Sequence, residues 1–182
     1  DLAVSGWVGA IFGTIALSLW LTLFPQVCEY FGLRPGYRGM VLFVQHIFQA
    51  GIAFALMKSK TWLFKPHLAP LYNLFGVTAL FLAFVTSNSV MLFLAALFFG
   101  TFSANYYFTA IFHSLSHPSK SVRNIAINES AIGAGFFIGP QLVNLTGLYT
   151  NFRTPYLFAM AGLFAAMIFQ YFFIRHKTME TR

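Results

Sequence analysis

Val90 to Phe112 reads VMLFLAALFFGTFSANYYFTAIF, a run without a single Asp, Glu, Lys or Arg. About twenty such residues, wound as a helix, rise about 30 Å, the thickness of a bilayer's hydrocarbon core. The pattern recurs on both sides of it. Apolar runs also extend from Ala3 to Pro25, Gly39 to Met57, Ala69 to Thr86, Ile125 to Leu145 and Pro155 to Ile174. The reading is an all-α membrane protein. Its six transmembrane helices, at about 3–25, 39–57, 69–86, 90–112, 125–145 and 155–174, form one domain over residues 1–182.

Composition supports lipid as the solvent. The chain is 58% hydrophobic and only 8% charged, whereas a soluble domain carries about 25% charged residues. It has too few charges to cover a water-facing surface. A net charge of +7 would point to nucleic acid in a soluble domain. Here the basic residues fall between the apolar runs, where they act as topology signals against anionic lipid, and no nucleic-acid partner is expected. Cys28 is the one cysteine, which excludes an internal disulfide and a cysteine metal cluster. The first run lacks a basic segment before it and is long enough to stay in the membrane, so it reads as a span and not as a cleaved signal. The chain opens on Asp1 and is expected to be a piece of a longer protein.

Charge between the runs sets an orientation. Lys58, Lys60, Lys65, Lys120, Arg123, Arg175, Lys177 and Arg182 fall on the side of the termini, and Arg34, Arg38 and Arg153 on the other. The positive-inside rule then places both termini in the cytoplasm, most simply in a plasma (inner) membrane. Trp62, Tyr30, Tyr37, Tyr149, Tyr156 and Tyr171 are expected to form interfacial belts. Arg34-Pro35-Gly36 and His117-Pro118-Ser119 mark loops, Thr86–Ser89 a short turn, and Pro155 the start of the last span.

A polar group inside a bilayer is costly unless it faces protein or water, so polarity sorts the spans. The third carries only Asn73 and Thr78, and the sixth only Gln170; both are expected to face lipid. The first carries Thr14, Ser18 and Thr22 at helical spacing, the second Gln45, His46 and Gln49, the fourth Thr101, Asn105 and Thr109 beside Tyr106, and the fifth Asn128, Glu129, Ser130, Gln141 and Asn144. Gly9–Gly13 and Gly135–Gly139 are both G-x-x-x-G, a spacing that lets helices approach closely. Gly139-Pro140 interrupts the fifth span's hydrogen-bond ladder. The first and last three spans share a rhythm, three plus three, as in the inverted repeats of many secondary transporters.

The stretch from Arg123 to Pro140, RNIAINESAIGAGFFIGP, resembles the eleventh helix of a major facilitator superfamily transporter, with its basic loop, Glu-Ser pair, spaced glycines and Gly-Pro. The resemblance implies the C-terminal six-helix half of such a transporter, an MFS-type half-bundle whose N-terminal half is missing. It places the third and sixth spans outside and the other four beside the central cavity. The loop from Lys58 to Lys65 has no acid and departs from the family's signature there.

The function expected is secondary transport of a small solute by alternating access, with substrate near the bilayer midplane between two halves. Thr14, Ser18, Gln45, Gln49, Asn105, Tyr106 and Gln141 are the candidate substrate-binding residues. Glu129 and His46 are candidates for proton coupling, because a carboxyl or imidazole inside a membrane can carry a proton and marks a functional site. Glu129 has a structural reading too: a first-turn carboxylate steadied by the helix dipole and near Arg123. His113 and His117 lack a third ligand, and no metal is expected. No Ser-His-acid set can be assembled, so an enzyme is not expected, and no cofactor is implied. The alternatives are a six-span scaffold or assembly subunit, or a membrane-embedded enzyme. The partners expected are membrane lipid, a small-molecule substrate and the absent half; a homodimer is the counterpart if the chain is whole.

Overall fold

The computed structural model describes residues 2–59, 61–86, 88–117, 119–147, 151 and 153–180. It consists of six helices: α1 (Ala3–Tyr30), α2 (Pro35–Lys58), α3 (Leu68–Val85), α4 (Ser89–Leu115), α5 (Ser121–Gly147) and α6 (Thr154–Glu180). A single 3-10 turn, Thr61–Phe64, lies between α2 and α3, and no strand occurs among the described residues. Five helices are long and apolar enough to cross a membrane. The exception is α5. It matches α4 in length, at 27 residues, but Asn124, Asn128, Glu129, Ser130, Gln141 and Asn144 dilute its apolar character.

Five of the helices outrun the apolar runs that predicted them, α3 being the exception, because backbone hydrogen bonding continues past the hydrocarbon boundary. Pro25, expected to close the first span, lies inside α1. Its missing N–H removes one ladder bond without stopping the helix. Just past the end of α1, Gly32 turns the chain with a φ of +61°, which suits a residue without a Cβ. Gly32 N–H donates to the Glu29 carbonyl at 2.9 Å and Leu33 N–H to that of Cys28 at 2.8 Å, the paired bonds of a Schellman end. Pro35 occupies the first position of α2, not a loop. Asn88 caps α4 by accepting from Met91 N–H at 3.0 Å.

α1 and α4 are the central helices. α1 packs on α5, α4 and α6; α4 packs on α2, α3 and α1; α3 also packs on α6. Trp20 and Phe99 stack between the central pair, ring centres 4.9 Å apart and 11° from parallel. Tyr156 joins this core with no exposed surface, its ring 6.4 Å from Trp20. It is therefore not part of an interfacial belt, and Tyr149 lies outside the described residues.

Among lipid tails, burying a leucine gains little, so close backbone approach and interhelical hydrogen bonds hold helices together. Glycines supply the approach. Gly135 and Gly139 on α5 lie against Thr14 and Ser18 of α1; a Cβ on Gly139 would come within 2.9 Å of the Ile15 carbonyl oxygen. Gly100 on α4 lies against the α2 backbone at Gln45 and Gln49. Gly9 and Gly13 face elsewhere, toward Gln170 of α6 and the Tyr106 ring of α4.

Candidate functional site

The seven candidate substrate residues do not share one surface. Thr14 and Ser18 are buried in the α1–α5 seam. The Thr14 hydroxyl donates to its own helix, to the Ala10 carbonyl at 2.6 Å. The Ser18 hydroxyl crosses to α5, reaching the Gly135 carbonyl at 3.1 Å. Gln45 has no exposed surface; its Oε1 accepts from Trp20 Nε1 at 2.8 Å, and its Nε2 has no partner. Asn105 is buried and donates to the Thr101 carbonyl at 2.7 Å. Tyr106 is buried against Gly13 and Phe102. It also walls a water-sized cavity shared with Gly6, Gly9, Asn73, Thr109 and Gln170. Gln49 is half-buried and Gln141 exposed.

Of the Asn, Gln, His and Glu side chains within the apolar runs, the exposed ones lie on α2 and α5. His46 is exposed on α2. On α5, one flank (Asn124, Asn128, Gly135, Gly139 and Val143) is buried, and the opposite flank exposes Glu129, Gly133, Gln141 and Asn144. Glu129 falls in the third turn, since α5 begins at Ser121 and has no acid in its first turn. The helix-dipole reading of Glu129 therefore fails, because that stabilisation fades beyond the first turn.

α3 and α6 are apolar on their exposed faces, at Leu71, Phe81, Phe158 and Phe164 among others. Their few amides turn inward. Asn73 Nδ2 donates to Gln170 Oε1 at 2.8 Å, and Gln170 Nε2 donates to the Ser5 carbonyl at 2.9 Å, so three helices are joined by two buried bonds. Sequence reasoning noticed both amides and missed their pairing; the signal was that each is isolated on an apolar helix. α2 is more exposed than either of these helices.

Two further groups were not singled out. Trp7 Nε1 donates to Ser114 Oγ at 3.2 Å and to the Asn124 carbonyl at 3.1 Å, tying α1, α4 and α5. Arg153, immediately before α6, donates to the Phe84 carbonyl at 3.1 Å and lies over the Tyr30 and Phe31 rings, tying the start of α6 to the ends of α3 and α1. Asn124 and Asn128 are wholly buried with side-chain amides unpartnered. Among the described residues no three His, Cys, Asp or Glu gather as a metal site.

A scan against protein-family models finds no match, and searches of curated proteins and of solved structures find none either.

Proposed function

We propose that this chain is one six-helix half of a secondary transporter of the major facilitator kind, moving a small solute by alternating access. The observation that carries the reading is the uncovered polarity of α2 and α5. His46, Glu129, Gln141 and Asn144 are exposed on helices whose neighbours are apolar enough to span a membrane. Such groups are too costly to leave against acyl chains and call for water or protein beside them. A second half, from the same protein or a second copy, supplies that cover and encloses a cavity.

The packing supports a three-plus-three arrangement. Exchanging α1–α3 with α4–α6 turns the α1–α5 pair into α4–α2 and the α3–α4 pair into α6–α1, and all four pairs occur. α5 is then the sixth span, polar because it lines the cavity. Both termini face the cytoplasm by the distribution of lysine and arginine. Gln49, Gln141, Glu129 and His46 are the residues nearest to solute and proton in this reading, and no chemical step is performed on the cargo.

A scaffold reading has one observation in its favour: Thr14 and Ser18 serve the α1–α5 seam. Proteoliposomes of the full-length gene product separate the two. Osmotic swelling in a panel of neutral sugars, polyols and amino acids should run faster than in protein-free vesicles for at least one solute. Equal rates throughout would favour the scaffold. Where transport is found, Glu129→Gln should flatten its pH profile, and an unchanged profile would remove Glu129 from coupling.

A further inference from the structure

The connection between α2 and α3 is folded back against α4. Trp62 Nε1 donates to the Leu56 carbonyl at 2.8 Å, near the end of α2. The Trp62 ring sits edge-on to Phe112 of α4, centres 5.6 Å apart. Beneath this strap is a cavity whose polar lining comes from Lys65, Tyr72, Thr109 and His113. Among the described residues, no Asp or Glu lines it.

Thr109 and His113 are four residues apart on one face of α4, each more than nine-tenths buried. Neither makes a hydrogen bond among the described residues. That sets Thr109 apart from Thr14, Thr22 and Thr101, whose hydroxyls donate to carbonyls of their own helices. Lys65 is exposed, with its charge on the same cavity. The enclosed part has room for about one water-sized group, such as a single oxygen atom.

We infer that this cavity is a headgroup site for an anionic phospholipid. One phosphate oxygen enters between Thr109, His113 and Tyr72, while the phosphate charge meets the Lys65 ammonium at the mouth. The donors are of one kind: a hydroxyl, a phenol, an imidazole and an ammonium, with no carboxylate among the described lining residues to repel an anion. Basic pockets between helices at a membrane surface take lipid phosphates for this reason. A lipid is favoured over a soluble phosphate because α3 leads from the mouth with Leu71, Leu74 and Phe75 exposed, a greasy strip on which an acyl chain can lie. The inference needs only that the chain lies in a membrane, and it survives if the transport reading fails.

Native mass spectrometry of the full chain in detergent tests it, titrating phosphatidylglycerol against phosphatidylcholine. Wild-type protein should retain phosphatidylglycerol preferentially. Lys65→Gln and Thr109→Val should each weaken that binding about fivefold or more, the weight of one cation or one donor near a phosphate. Lys58→Gln, which alters an exposed lysine over the Phe54 ring, should leave it unchanged. Lys65 is exposed, so its replacement leaves the fold intact and keeps the test decisive if Thr109→Val folds poorly. Unchanged affinity in Lys65→Gln, or equal binding of the two lipids, would overturn the inference. So would complete displacement of the lipid by excess inorganic phosphate, since the site would then belong to a soluble anion.

Discussion

Asn73 and Gln170 illustrate how one residue acts when water is absent. Each is an amide on an otherwise apolar helix, and an amide left against acyl chains costs several kcal/mol. The two helices therefore rotate these groups inward, where each finds the other at 2.8 Å. Gln170→Leu should destabilise the protein by about 1–2 kcal/mol, since it leaves the Asn73 amide unpaired and removes the bond to the Ser5 carbonyl. A thermal melt in detergent reads this. Gln141→Leu, at an exposed position, should leave the melt unchanged. The sequence made both amides visible as exceptions on α3 and α6. It did not make their partners visible, because no pattern within either helix specifies which neighbour's amide lies opposite.

At the scale of the element, the α1–α5 seam rests on small residues. Gly135 and Gly139 touch the α1 backbone, whereas nothing lies within 4 Å of a Cβ placed on Gly133. Gly139→Ala should therefore force α5 away from α1 and cost about 1–3 kcal/mol. Gly133→Ala should be neutral or stabilising by up to about 1 kcal/mol, because alanine is the better helix former. Equal losses at the two positions, measured by denaturant or thermal unfolding, would contradict the seam. The spacing of Gly135 and Gly139 was legible beforehand; the surface it meets was not. α5 lies against the hydroxyl-bearing face of α1, while Gly9 and Gly13 receive Gln170 and Tyr106. The helix count was legible from the apolar runs, and the ends were less so. Pro25 looked terminal but lies within α1, and Pro35 looked like a loop but starts α2, because one missing N–H stops neither helix.

Over the whole molecule, polarity is unevenly covered. α1 and α4 enclose most of theirs within the apolar runs and α3 and α6 turn their amides inward, whereas α2 and α5 bury Gln45, Asn124 and Asn128 but leave His46, Glu129, Gln141 and Asn144 outside. The sequence correctly marked α2 and α5 as polar helices but grouped them with α1 and α4 around one cavity. Thr14, Ser18, Gln45 and Asn105 are instead buried within this bundle. A polar stripe reads alike whether it meets water or a neighbouring helix, and only the packing separates the two.

The central claim is that the α2 and α5 faces meet water in the membrane-embedded protein. Cys28 is the chain's one cysteine and is buried, so single cysteines can be introduced into a Cys28→Ser form of the full-length protein. Positions 46, 49, 141 and 144 would be compared with Leu71 and Phe158, on the apolar faces of α3 and α6, using a water-soluble maleimide on intact and permeabilised vesicles. The account predicts labelling at the first four and none at Leu71→Cys or Phe158→Cys. If the α2 and α5 positions stay as unreactive as those two, no aqueous cavity borders them and the transporter reading is contradicted.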